Sequence, residues 1–150
     1  MSEYYLGFKF VHVFTAIVAI GTSAALSILL EFFGNDAAHG AYVLRAVRRL
    51  LYCVVIPGYV LMLVTGMWMG HLASLLDAHW TEAAMNIWGF GALFFVGLAF
   101  MLRRQIRLFE AQGPASAPYR RVALLARLMG GGAGLVIVTI LYFMVFKPVD

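Results

Sequence analysis

Two histidines hold most of the chemical interest in this sequence. His12 and His71 each fall inside a long apolar stretch, where an ionisable side chain costs free energy that ordinary packing does not offset, so such residues mark functional sites by default. His12 lies about one helical turn inside the start of the first stretch, and His71 one to two turns inside the end of the second. If the two stretches are antiparallel helices, both rings arrive at one depth. Two neutral imidazoles facing each other in a helical bundle are what the iron of a haem b needs for six-coordination. The spacing therefore predicts His12 and His71 as axial ligands. Thr15, Ala16 and Ala19 on the His12 face would leave room for a porphyrin, Lys9 one turn outward would pair with a propionate, and Met67 and Trp68 would form an apolar wall beside His71. Neighbouring helices pack about 8–10 Å apart, so this arrangement requires the two helices to be splayed or diagonal, which the connection from Gly34 to Arg49 is long enough to allow. The competing reading is that each ring sits near the interface and bonds water or a carbonyl.

Other residues offer less. His79 and Asp77 could join His71 in a surface metal site, and Met67 and Met69 are soft donors suited to Cu(I). Solvated loop residues explain His79 and Asp77 more simply. His39 falls in a connection at the opposite end, and the lone Cys53 lies inside the second stretch, where no intrachain disulfide can form. No G-x-S-x-G occurs, no carboxylate lies in an apolar stretch to orient a histidine, and Ser23 and Ser27 have no base nearby. No catalytic residue is assigned. The same lack of buried carboxylates argues against a secondary transporter, and neither phosphate-binding glycine loops nor nucleic-acid modules are present.

The elements that must carry these residues follow from composition. Of 150 residues 63% are hydrophobic and 12% charged, and the mean hydropathy is +0.90. That is more apolar surface than a small soluble core can bury, so part of the solvent must be lipid. Four stretches lack charge over the roughly 20 residues that a hydrocarbon core of about 30 Å demands: Phe10 to Leu30, Leu50 to Leu76, Ala83 to Leu102 and Leu128 to Phe146. The expected fold is one all-α domain, a transmembrane four-helix bundle, with spans at about 8–32, 50–75, 83–110 and 121–146. The first span is expected to be a mature helix rather than a cleaved signal peptide, since Glu3 precedes Lys9, the apolar run is too long and no small-x-small site ends it cleanly. The third helix should continue past the membrane through Arg103 to Glu110 and stop at Gly113-Pro114.

The net charge of +4 and pI near 9.5 do not indicate nucleic acid, because the arginines fall in two connections. Arg45, Arg48 and Arg49 separate spans one and two; Arg103, Arg104, Arg107, Arg120, Arg121 and Arg127 separate spans three and four. The positive-inside rule puts both connections in the cytoplasm and both termini in the periplasm. Tyr4, Tyr5, His79, Trp80 and Tyr142 to Phe146 suit the outer interface, where Lys9 and Lys147 can snorkel. Small residues at helical spacing supply close packing: Ala16, Ala19 and Ser23, Gly66-x-x-x-Gly70 and Gly130-x-x-x-Gly134.

Several short motifs in fixed order complete the picture: K-F-V-H at Lys9 to His12, R-A-V-R-R at Arg45 to Arg49, P-G-Y-V-L-M-L-V-T-G-M-W-M at Pro57 to Met69, L-R-R-Q-I-R at Leu102 to Arg107 and F-M-V-F-K-P at Phe143 to Pro148. With them the chain resembles, over nearly its whole length, a bacterial family of four-span integral membrane proteins of unknown function. That family is similar to a broader group that includes the CopD-like copper-resistance proteins and the HemJ-type protoporphyrinogen oxidases. In the latter a K-x-x-H of the first helix supplies a haem-ligating histidine, which corresponds to His12. The resemblance implies a multi-pass protein of the bacterial inner membrane. Span three has no lysine and span one lacks the L-F-Y-L-P-R-L-F ending, so protoporphyrinogen oxidation is not implied. The leading expectation is one-electron transfer near the periplasmic face through haem b, with membrane quinol or a periplasmic donor as partner; any enzyme activity would be that of a membrane oxidoreductase. The rival expectations are a cofactor-free accessory or structural subunit, held in a membrane complex or homo-oligomer, and CopD-like copper handling.

Overall fold

A computed structural model describes residues 3–76 and 78–146. The expected roles of Asp77 and of the tail from Lys147 to Asp150 fall outside the described residues. The chain is all helical: α1 Glu3–Phe33, α2 Gly40–Leu50, a π turn Leu51–Val55, α3 Ile56–Leu72, α4 His79–Gln112 and α5 Ala117–Phe146. Four helical segments, Glu3–Phe33, Gly40–Leu72, His79–Gln112 and Ala117–Phe146, are long and apolar enough to cross a membrane. They form a four-helix membrane bundle.

The second segment differs from expectation at its start. The run from Gly34 to Arg49, read as a long connection, is a short turn followed by α2, which passes through the π turn into α3 without a break. Its sequence explains this. Gly40, Leu44, Val47 and Leu51 recur at four, three and four residues and are all buried, whereas Arg45 and Arg49 face out, so α2 is an amphipathic helix. The π turn precedes Pro57, which has no N–H to offer the Cys53 carbonyl one turn earlier. The Ile56 N–H accordingly reaches five residues back to the Leu51 carbonyl.

Three further positions set the chain's turns. At the end of α4, Gly113 takes φ 77°, a left-handed conformation that glycine adopts without steric cost, and its N–H returns to the Phe109 carbonyl. Between α1 and α2, the Asp36 carboxylate accepts the N–H of Ala38 at 2.7 Å and of His39 at 3.3 Å. These bonds and the nearby His39 ring hold the Asp36 carboxyl below its usual range. Gly34 is fixed from outside the turn: its carbonyl accepts the Tyr119 hydroxyl, and the Gln105 amide donates to the same hydroxyl at 3.1 Å.

The helices pair as two antiparallel hairpins, α1 with α3 and α4 with α5. The hairpins are locked together at the arginine-rich end. There the fully buried Leu44, Val55, Leu102 and Tyr119 sit in one apolar cluster with Val47, Leu51, Ile106 and Phe109. Phe109 and Tyr119 meet edge to face, with ring centroids 5.5 Å apart, and a Cβ on Gly40 would stand 2.7 Å from the Phe109 ring. Arg45 to Glu110 at 2.7 Å and Arg127 to Glu31 at 3.0 Å close the same end. Both pairs are half exposed, so they add little energy and serve mainly to orient the helices. α4 has 34 residues, about 51 Å at 1.5 Å per residue, against a hydrocarbon core of about 30 Å. Its charge-free run ends at Leu102, and the helix continues through Arg103 to Gln112 at this end.

Candidate functional site

His12 is buried, 9% exposed, on the seam between α1 and α3. The Thr65 hydroxyl gives its proton to the Leu61 carbonyl at 2.7 Å, as a threonine in an apolar helix commonly does. Its oxygen can therefore only accept from His12, whose Nδ1 lies 2.9 Å away. With the hydroxyl proton so placed, Nδ1 carries the ring proton and Nε2 keeps its lone pair. The ring also rests on Gly66, where a Cβ would come within 3.2 Å of the imidazole Cε1. The glycine thus makes room for the histidine ring.

His71 does not share this tier. The α3 residues level with His12 are Thr65 and Gly66, so His71 is five positions past Gly66, about 7.5 Å further along the axis and about 140° round the helix. It is exposed in the last turn of α3. The matched depth expected for the two rings is not formed, because the contacts of Gly66 with His12 and of Gly58 with Ala19 set the register of the hairpin. The space expected above Thr15 and Ala19 is occupied as well. A Cβ on Gly58 of α3 would stand 2.8 Å from the Ala19 Cβ and 3.7 Å from the Thr15 methyl, which is direct helix-to-helix contact.

The remaining expected residues scatter. Trp68 meets Phe8 of α1 in a tilted ring contact, with centroids 5.6 Å apart. Lys9 and Met67 are exposed. Among the described residues no three His, Cys, Asp or Glu side chains come close enough to share a metal ion. Of the glycine pairs, Gly66 packs on His12 and Gly70 on Leu76, whereas Gly130, Gly131 and Gly134 on α5 face open space with nothing within 4 Å.

A concavity lies on the other side of α3. The hairpins meet there through Tyr59 and Phe95, whose ring centroids are 4.4 Å apart. Beside them runs an apolar groove of about 420 Å³ walled by α3, α4 and α5, with Val60, Phe95, Val96, Val136 and Ile137 among its lining. Trp88 stands towards one end and Tyr52 with Arg103 at the other. Tyr59 is 8% exposed, and its hydroxyl approaches Ser23 of α1 without forming a hydrogen bond of acceptable geometry. Tyr52 and Arg103 also belong to an adjoining hollow of about 550 Å³ bordered by Arg45, Arg48, Arg107 and Glu110. Sequence reasoning missed this pair of hollows. The signal was the pair Tyr52 and Tyr59, seven positions apart and close after the arginines of α2.

Residues 6–148 match the family described as "Predicted integral membrane protein (DUF2269)", and the chain belongs to it. This is the resemblance carried by the ordered motifs from Lys9 to Pro148. No curated protein and no solved structure matches the chain.

Proposed function

We propose that the protein is an accessory subunit of the bacterial inner membrane, with its arginine-rich end in the cytoplasm, that holds neighbouring membrane proteins through its lipid-facing helices. The observation that carries this reading is what His12 does. Its ring is spent on joining α1 to α3, packed on Gly66 and bonded to Thr65, a tier away from His71. Interhelical polar contacts of this kind glue membrane helices together. The face of α5 with Gly130, Gly131 and Gly134 open supports the same reading, since small residues at a spacing of four let a second helix approach closely. That second helix would belong to a partner protein or to another copy of the chain.

The test begins with isolation in a mild detergent. A colourless protein within a larger assembly is expected. Gly130→Leu combined with Gly134→Leu should release it from that assembly without lowering its own thermal midpoint, because a Cβ at either position meets nothing within 4 Å. Thr65→Val should lower the unfolding free energy by about 0.6 kcal/mol, and at most about 1.7 kcal/mol, in denaturant titration. A full complement of haem in the purified protein would refute the accessory reading.

A second reading stands on the bare Nε2 of His12. A histidine whose Nδ1–H is held by an outer partner is the usual arrangement of a metal-ligating ring. In this reading α1 and α3 part to admit haem b on His12, with Lys9 at the membrane surface near a propionate, for one-electron exchange with quinol or a periplasmic donor. A reduced-minus-oxidised spectrum decides it: a Soret band lost in His12→Ala is required. Survival of that band in His71→Ala would identify His12 as the sole protein ligand. Its loss there would restore the bis-histidyl assignment.

A further inference from the structure

We propose that the groove between α3, α4 and α5, together with the arginine-lined hollow at its end, binds one anionic glycerophospholipid from the leaflet at the arginine-rich end. The two hollows are one amphipathic site because they share Tyr52 and Arg103. The apolar part runs along α4 from Trp88 to Arg103, about 22 Å at 1.5 Å per residue, which exceeds the ~15 Å depth of a single leaflet's hydrocarbon. An acyl chain fits it lengthwise. Its walls are mostly aliphatic and aromatic side chains, and the charge in its lining comes from Arg103 at the end.

The charged part faces the other way in chemistry. Four guanidinium groups, Arg45, Arg48, Arg103 and Arg107, border the hollow against one carboxylate, Glu110. That carboxylate is held by Arg45 at 2.7 Å. Arg48 and Arg107 have no ion pair or hydrogen bond among the described residues, and the Arg103 guanidinium lies over the Tyr52 ring, 5.4 Å from its centroid. Stacking on Tyr52 holds Arg103 where the apolar groove ends and the charged hollow begins. Three unneutralised guanidiniums at the head of a lipid-width groove match a phosphodiester bearing net negative charge, since guanidinium and phosphate pair through two parallel hydrogen bonds. A zwitterionic headgroup would bring its own cation into the same hollow.

The experiment uses the full chain in detergent, titrated with phosphatidylglycerol, phosphatidylcholine or inorganic phosphate and read by native mass spectrometry. One phosphatidylglycerol per chain is expected, bound at least tenfold more tightly than phosphatidylcholine and more weakly as ionic strength rises. The triple variant Arg48→Gln, Arg103→Gln, Arg107→Gln should bring the two lipids to equal affinity. Arg121→Gln, an exposed arginine outside the hollow, should change nothing. Ala92→Phe, which fills the groove wall and leaves the arginines intact, should weaken phosphatidylglycerol binding at least fivefold. Equal binding of both lipids by the unaltered chain would overturn the proposal, as would an Arg121→Gln effect as large as that of the triple variant. Competition by inorganic phosphate with no effect of Ala92→Phe would assign the hollow to free phosphate and overturn it too.

Discussion

Single residues in this protein act through the atom they leave free as much as through the bond they make. With its proton on its own helix, Thr65 offers His12 an acceptor across the seam and favours the tautomer with the proton on Nδ1. Asp36 works the same way at the exposed turn: its carboxylate collects two backbone N–H groups and keeps its negative charge to unusually low pH. A carboxylate whose folded pKa is depressed contributes order that is complete above its ordinary value of 3.8 and is lost as pH falls through the lower folded value. The amide of Ala38 should therefore stay protected from hydrogen exchange at neutral pH and lose protection only below about pH 3.8. Asp36→Asn should weaken that protection at neutral pH and remove its acid dependence. An Ala38 amide whose protection is the same in both proteins at every pH would show that the carboxylate does not hold the turn.

At the scale of helices, glycine divides into positions that another helix needs and positions that nothing in the chain uses. Gly58 is of the first kind, since a methyl there would stand 2.8 Å from the Ala19 Cβ and neither atom can turn away. Gly130 is of the second kind. Gly58→Ala should therefore force α1 from α3 and cost about 1–3 kcal/mol, the usual range for overpacking. Gly130→Ala should gain up to about 1 kcal/mol through helix propensity. Denaturant unfolding of the two variants side by side gives the comparison, and equal effects would mean that the α1–α3 seam is not as tight as its geometry implies. The π turn before Pro57 belongs to this scale too. It lets the buried positions Leu51, Val55 and Tyr59 recur every four residues, slower than an ordinary helix, so one stripe stays on the neighbouring helices across the change from α2 to α3.

For the whole molecule, the described core is gathered at one end. Tyr119 is the tie between the halves: on α5, it donates to the Gly34 carbonyl after α1 and accepts from Gln105 on α4. Tyr119→Phe would strand a buried carbonyl and a buried amide, at a cost of about 1–3 kcal/mol. Limited proteolysis should then cut more readily between Gly34 and Gly40, and an unchanged cleavage rate would show that the tie is not needed. Much of this architecture was legible in the chain's composition. Charge-free runs long enough to cross a bilayer and the Gly113-Pro114 stop dictate four helices, because hydrocarbon admits no unpaired backbone and punishes charge wherever it falls. The candidate site was not legible in the same way. Depth counted along a sequence assumes that helices start level, and the true offset between α1 and α3 depends on where His12 finds Gly66 and where Gly58 finds Ala19. Such register is a property of surfaces fitting together, which periodicity cannot specify, and it moved His71 off the tier of His12 while bringing Tyr52, Arg103 and the arginines of α2 around a hollow that no linear spacing announces.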